Sequence, residues 1–204
     1  MATTRRNKPP KMGVPLTVTL ANRYRFSAEE YHRMAGAGIF GEDDRVELID
    51  GDIIEMSPIG WKHVSDVNRT AHVFSQALGH RAIVQVQSPV GLTSRSEPQP
   101  DIVILRWRDD FYPDGPGPED TLLIVEVADT SLRYDREEKA LVYARAGVPE
   151  YWVEQVNRRS LLVFRDPSPD GYRTVRELRG DEPVNPLAFP DLVVTARLLL
   201  PPSP

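Results

Sequence analysis

Apolar residues recur along this chain at three different spacings, and each spacing predicts a different kind of element. Over residues 61–78, Val64, Val67, Ala71, Phe74 and Leu78 return every three or four positions, lining one face of an α-helix that Gly79 should stop. An earlier helix is expected after Ser27, with Glu30 three positions on in capping-box spacing and Gly36 and Gly38 at its end. Residues 131–145 read as a third, with Leu141 and Val142 inward and Gly147 and Pro149 closing it. Period-two alternation predicts strands. In residues 82–90, Ile83, Gln85 and Gln87 share one face and Val84 and Val86 the other. Residues 45–56 form a hairpin about Asp50-Gly51. Residues 150–154 and 160–165 pair about Asn157-Arg158-Arg159, and a further strand lies near 172–177. The unbroken apolar runs at 101–105 and 121–128, too short for helices, read as central strands buried on both faces. From Pro183 onward the chain is proline-rich and carries no element signal.

This order of elements predicts one α/β sheet with helices packed against it, and 204 residues suit a single such domain over residues 16–200. Residues 1–15 hold Arg5, Arg6, Lys8 and Lys11 among prolines and threonines and read as a flexible basic tail. There is no repeat of ~20–50 residues. A hydrophobic share of 40% with 27% charged residues fits a soluble globular protein. The longest apolar stretch, 192–200, is interrupted by Arg197 and too short to cross a bilayer, and the N-terminus has no secretory apolar run. A cytoplasmic protein without membrane contact is therefore expected. With no cysteine, disulfides and thiolate zinc sites are excluded. Any metal must be held by oxygens or by the four histidines, which favours Mg²⁺, with Mn²⁺ as its substitute. The net charge of −5 is the reverse of a basic nucleic-acid footprint, although a local basic groove or a bound divalent cation can coexist with an acidic total.

Candidate chemistry starts at Glu126, set between valines in the apolar run Leu122-Leu-Ile-Val-Glu-Val. A lone carboxylate buried there is costly and must neutralise or find partners. It lies at the strand's solvent end, pairs with an arginine, or belongs to a site. Asp101 opens the other buried strand after Pro100, and 126 − 101 = 25 positions allow a strand, a loop and a return. Acids at matching ends of neighbouring strands stand about 4.8 Å apart at the backbone. Only a cation or a proton relieves their repulsion. Lys139 lies on the next helix, four positions beyond Asp135, in a segment, Asp135-Arg-Glu-Glu-Lys, that reads equally as a solvated face. Its ammonium could instead orient an attacking water and steady phosphate charge. Glu47 is an alternating strand position that could add a third carboxylate. His63, at the start of the second helix, could meet a phosphate there or be structural. Gln85 and Gln87 could contact substrate or face water.

With these residues in place, the chain resembles the Uma2-type endonuclease family of the PD-(D/E)XK restriction-endonuclease-like superfamily. The matching segments are Arg45-Val-Glu-Leu-Ile-Asp-Gly-Asp-Ile, Pro100-Asp-Ile-Val-Ile and Ile124-Val-Glu-Val-Ala-Asp-Thr-Ser, then Asp135, Lys139, Tyr143-Ala and Gly147-Val-Pro-Glu-Tyr-Trp-Val. They run in family order over roughly residues 20–180. The resemblance implies a restriction-endonuclease-like mixed central β-sheet flanked by helices, and Mg²⁺-dependent hydrolysis of nucleic-acid phosphodiesters, DNA foremost. It implies that Asp101 is the "PD" aspartate and Glu126 the acid of the (D/E)XK element. The lysine of that element would fall on Ala128, and Lys139 is the matching position on the following helix. Glu47 would be the acid contributed from before the core strands, and Gln155 stands where an aspartate is expected. On this reading Asp101, Glu126 and the backbone carbonyl of Val127 hold one Mg²⁺ while Lys139 steadies a water. The rivals are a nuclease fold kept for binding or scaffolding without turnover, and an interaction module whose acids are structural. A homodimer is expected through the strand pair near Tyr151 and Trp152.

Overall fold

The computed structural model describes residues 23–41, 43–129 and 131–200; the expected basic tail lies outside them. Its centre is a six-stranded mixed sheet in the order β3-β4-β5-β6-β7-β8. The strands are β3 (Ala82–Val86), β4 (Ile102–Arg106), β5 (Thr121–Ala128), β6 (Glu150–Gln155), β7 (Ser160–Ser168) and β8 (Gly171–Arg179). Only β5 and β6 run parallel; every other neighbour is antiparallel. The chain joins those two through a helical crossover of α3 (Leu132–Tyr134), a π-helical turn (Asp135–Lys139) and α4 (Ala140–Arg145).

Alternation along the central strands splits the core into two layers. Ile102, Ile104, Leu123 and Val125 pack with Val67, Phe74 and Leu78 of α2 (Trp61–Leu78) on one face. Val103, Leu105, Ile124 and Ala128 pack with Tyr143 of α4 and with Tyr151 on the other. All eight residues of β5 are buried, as expected of a strand covered on both sides. The same alternation turns Glu126, between Val125 and Val127, toward the α4 layer.

The predicted N-terminal helix, α1 (Ala28–Gly36), carries the full capping box, with Ser27 accepting from the Glu30 amide and Glu30 accepting from the Ser27 amide. The hairpin of β1 (Val46–Ile49) and β2 (Asp52–Glu55) turns through Asp50 and Gly51, both at positive φ. A side chain at position 51 would also meet the Arg25 backbone at 3.0 Å, so glycine is required twice over. The hairpin is a separate two-stranded sheet, tied to the loop before β4 by reciprocal Leu48 and Glu97 backbone bonds of 3.3 and 2.8 Å.

Three expectations change. β3 stops at Val86 rather than 90, because Gln87 adopts φ 45° and bends the chain away. The proline-rich tail is structured: β9 (Pro183–Val184) pairs with β10 (Val194–Thr195), and α5 (Ala196–Leu199) follows. Phe189, Val194 and Leu199 there complete the layer that holds α2. Tyr151 and Trp152, expected beside a contact with a second copy, are instead fully buried in an interior strand. Among the described residues no helix is long and apolar enough to cross a membrane.

Candidate active site

The antiparallel register of β4 and β5 opposes Ile102 to Val125, which sets Asp101 beside Glu126 at one end of the sheet. The backbone then locks the two acids together. The Asp101 amide donates to Glu126 Oε2 (3.3 Å), and the Val127 amide donates to Asp101 Oδ2 (2.8 Å). The adjacency expected from sequence is thus present, and both residues are largely buried.

Two positive groups meet these carboxylates. Lys139 is itself buried and places its Nζ 3.0 Å from Glu126 Oε1 and 3.1 Å from Glu47 Oε2. The hairpin brings Glu47 into the same cluster, where its Oε2 also accepts from the Gln99 amide (3.1 Å). Tyr143 adds a hydroxyl donor to Glu126 Oε1 at 2.8 Å. On the other side, His63 Nε2 lies 2.9 Å from Asp101 Oδ1, and Gln87 Nε2 donates to the same oxygen at 3.3 Å. The bend after β3 is what turns Gln87 inward. Gln85 instead donates to the Pro89 carbonyl, and Gln155 to Ser160 Oγ, so neither joins the site.

The helical crossover supplies Lys139 through its π-helical turn. An i→i+5 closure stacks residues five apart, which brings Tyr134 and Lys139 to the same wall. Asp135 is buried with Lys139, its Oδ2 accepting from Ser131 Oγ at 2.5 Å, while Arg136, Glu137 and Glu138 face solvent. The segment is therefore only partly the solvated face it resembles in sequence. Ala128 is packed in the core and carries no charge to the acids.

The electrostatics follow from burial. Burial pushes the Glu126 carboxyl up to about 8; Lys139 opposes the rise, while Asp101, Asp135 and Glu47 add to it. Burial likewise raises Asp135 to about 6, against Lys139 and the Ser131 hydrogen bond. For Asp101 burial also acts upward, but His63, the Val127 amide and Gln87 outweigh it and hold the carboxyl below its usual range. The Asp101 hydrogen bond raises His63 in turn. Lys139 stays an ammonium, because three carboxylates outweigh the cost of burying it.

Asp101, Glu126, Glu47 and Asp135 all line one open cavity of about 420 Å³, with Lys139, His63, Arg45 and Lys62 on its walls. Among the described residues no group of three or more His, Asp or Glu side chains converges as a ready metal cage. The donor set still fits a hard cation. Four carboxylates crowd about one ammonium and one imidazole, and Mg²⁺ commonly uses one or two carboxylates and fills its remaining positions with water and phosphate oxygens. His63, Gln87 and Tyr143 were not separable by sequence pattern, since their link to the acids runs through tertiary contacts 38, 14 and 17 positions apart.

A family model described as "Uma2: Putative restriction endonuclease" matches residues 28–197. No curated protein matches the chain. Among solved structures, a "putative nuclease belonging to DUF820" from Anabaena variabilis ATCC 29413 is similar in fold, with a TM-score of 0.66 and 15% identity over 85% of this chain and 97% of that one.

Proposed function

The chain belongs to the Uma2 family, and from that premise we propose that it hydrolyses phosphodiester bonds of nucleic acid, DNA foremost, in the cytoplasm. The observation that carries this reading is the pairing of Asp101 with Glu126 on the wall of a cavity, with Lys139 held against Glu126 at 3.0 Å. Asp101, Glu126 and the Val127 carbonyl would hold a Mg²⁺, or Mn²⁺ in its place. When bound, the ion supplies charge neutralisation at a phosphate oxygen and a more acidic water.

The protein's own groups do the rest. Val127 and Asp101 cross-brace the two strands through backbone amides, so the carboxylates cannot drift apart. Glu47 holds Lys139 as well as Glu126 does, so the ammonium is fixed between two acids on the cavity wall rather than committed to one. In hydrolysis a water oxygen bonds to phosphorus and gives up a proton to solvent, the bond to one ester oxygen breaks, and the departing oxygen takes up a proton in return. Lys139 is placed to orient that water and to stabilise negative charge building on the phosphate. Asp101→Ala and Glu126→Ala should each lower Mn²⁺-supported cleavage of plasmid or single-stranded DNA by at least a hundredfold with the fold intact. Unchanged cleavage by either variant removes the mechanism.

One observation favours a second reading, a nuclease fold retained for binding. Every carboxylate oxygen of Asp101 and Glu126 already has a donor within the protein. Calorimetric titration with Mg²⁺ and Mn²⁺ separates the two: no binding at millimolar metal favours the scaffold.

A further inference from the structure

The three tryptophans of this chain have different employment. Trp152 is fully buried in the core. Trp107, 37% exposed, donates through its indole to Asp109 and packs edge-on against His80 and Phe111. Trp61 is 90% exposed, and among the described residues its indole makes no hydrogen bond and no ring contact. A side chain of that size, left in solvent, stands as the first residue of α2. Its chain neighbours Ile59, Gly60, Lys62 and His63 all line the cavity that holds Asp101 and Glu126.

The surroundings fit one kind of occupant. Lys62, the next residue along the chain, and Arg45 place cationic side chains on the cavity wall, Lys62 also reaching Asn157 Oδ1 at 3.4 Å, and Ile59 adds an apolar surface two positions before Trp61. An aromatic plane one position along the chain from a cation, next to residues that line a cavity of about 420 Å³, offers stacking for a base and charge for its backbone together. Away from its ends an intact duplex hides its base faces within the stack, so along a strand it is an unpaired base that can use such a plane.

We propose that Trp61 is a stacking platform for an unpaired nucleotide next to the scissile phosphate, and that the substrate is single-stranded or locally opened nucleic acid. This rests on the nuclease reading of the same cavity. The indole takes the base face, Lys62 and Arg45 meet the flanking phosphates, and the strand thereby presents a phosphodiester to the acids.

The test uses the full chain in Ca²⁺, a hard cation of the same charge, with a twelve-nucleotide oligo(dT) and a blunt duplex of equal length as probes. Oligo(dT) should quench tryptophan emission, and Trp61→Phe should lose that quenching while melting as the parent does. Trp61→Ala should weaken oligo(dT) binding roughly tenfold, Trp61→Phe should restore most of it, and duplex binding should change less than twofold. Oligo(dT) binding by Trp61→Ala equal to that of the parent overturns the proposal, as does equal loss for both probes. Emission of the free protein that shifts with protein concentration also overturns it, since a second copy then covers the indole. Asp101→Asn run in parallel separates this from the underlying reading. Quenching retained with no cleavage by the parent in Mg²⁺ or Mn²⁺ refutes the nuclease and leaves the platform. Asp101-dependent cleavage with no effect of Trp61 does the reverse.

Discussion

Burying a carboxylate costs free energy in proportion to how poorly its charge is matched, and two of the buried glutamates among the described residues, Glu126 and Glu154, resolve the cost differently. Glu126 meets an ammonium, a hydroxyl and an amide. Glu154, on β6, has a single donor, the Thr70 hydroxyl at 2.7 Å, and its Oε2 has no partner. Burial accordingly raises the Glu154 carboxyl to about 8, with only the Thr70 bond and a distant arginine opposing it. The folded protein thus keeps a proton on Glu154 to a higher pH than the unfolded chain, whose carboxyl has the ordinary value of 4.5. Folding takes up a proton between about pH 4.5 and 8, so this residue's contribution is fully present at the acid end and is lost as pH rises. Each tenfold change in proton affinity is worth about 1.4 kcal/mol. Glu154→Gln, which imitates the protonated group, should match the parent near pH 4 and exceed it by about 1–3 kcal/mol at pH 8.5 in urea unfolding. Glu126 and Asp135 also titrate in this range, but they are common to both proteins and cancel in the difference. Parallel stability profiles for the two proteins would mean that Glu154 is already matched in a way its contacts do not reveal.

At the scale of elements, the crossover between β5 and β6 decides what the cavity contains. An unbroken α-helix would align Asp135 with Lys139 and turn Tyr134 away; the i→i+5 turn aligns Tyr134 with Lys139 as well. Deleting the exposed Glu138 should restore α-helical closure and rotate the preceding residues off the cavity wall. The expected result is an unchanged helical circular dichroism with at least a tenfold loss of Mn²⁺-supported cleavage, and full activity would reduce the turn to a harmless bulge. Nothing in Asp135-Arg-Glu-Glu-Lys announces this turn, because one extra residue per turn leaves no trace in apolar spacing. Elements whose signal is local were legible from the sequence. The Ser27 capping box, the Asp50-Gly51 hairpin, the apolar stripe of α2 and the two buried strands all follow from neighbours within one or two turns. The acids were legible for a related reason, since a charge within an apolar run contradicts its surroundings. Lys139 and Glu47 were legible only through family resemblance, because a helical lysine and an alternating glutamate are commonplace. The short β9–β10 pair and α5 escaped because Val194 and Leu199 owe their burial to α2, over a hundred positions away.

The whole molecule carries a net charge of −5, which should repel a polyanion, and yet the function proposed for its candidate site requires nucleic acid to bind there. The two can be reconciled if attraction is confined to a few cations beside the cavity while the remaining surface is left unfavourable. Lys139 does not count toward that attraction in the free protein, since Glu47 and Glu126 already neutralise it. Arg45 and Lys62 remain on the wall, a footprint of about two phosphates. Each phosphate neutralised on a single strand contributes about −0.7 to the slope of log K against log salt. Binding of a short single-stranded oligonucleotide in Ca²⁺ should therefore weaken with a slope of roughly −1.4, against about −4 or steeper for six or more contacts. Arg45→Ala or Lys62→Ala should each flatten the slope by about 0.7 and weaken binding alike for all sequences. A steep slope that neither substitution alters would place the phosphate contacts elsewhere, with Arg5, Arg6, Lys8 and Lys11 the first candidates. With the shallow slope, by contrast, the acidic remainder of the molecule disfavours duplex, whose many phosphates would need many more cations than the cavity wall supplies. So small a footprint suits a site built for short, unpaired strands and not a duplex-tracking enzyme.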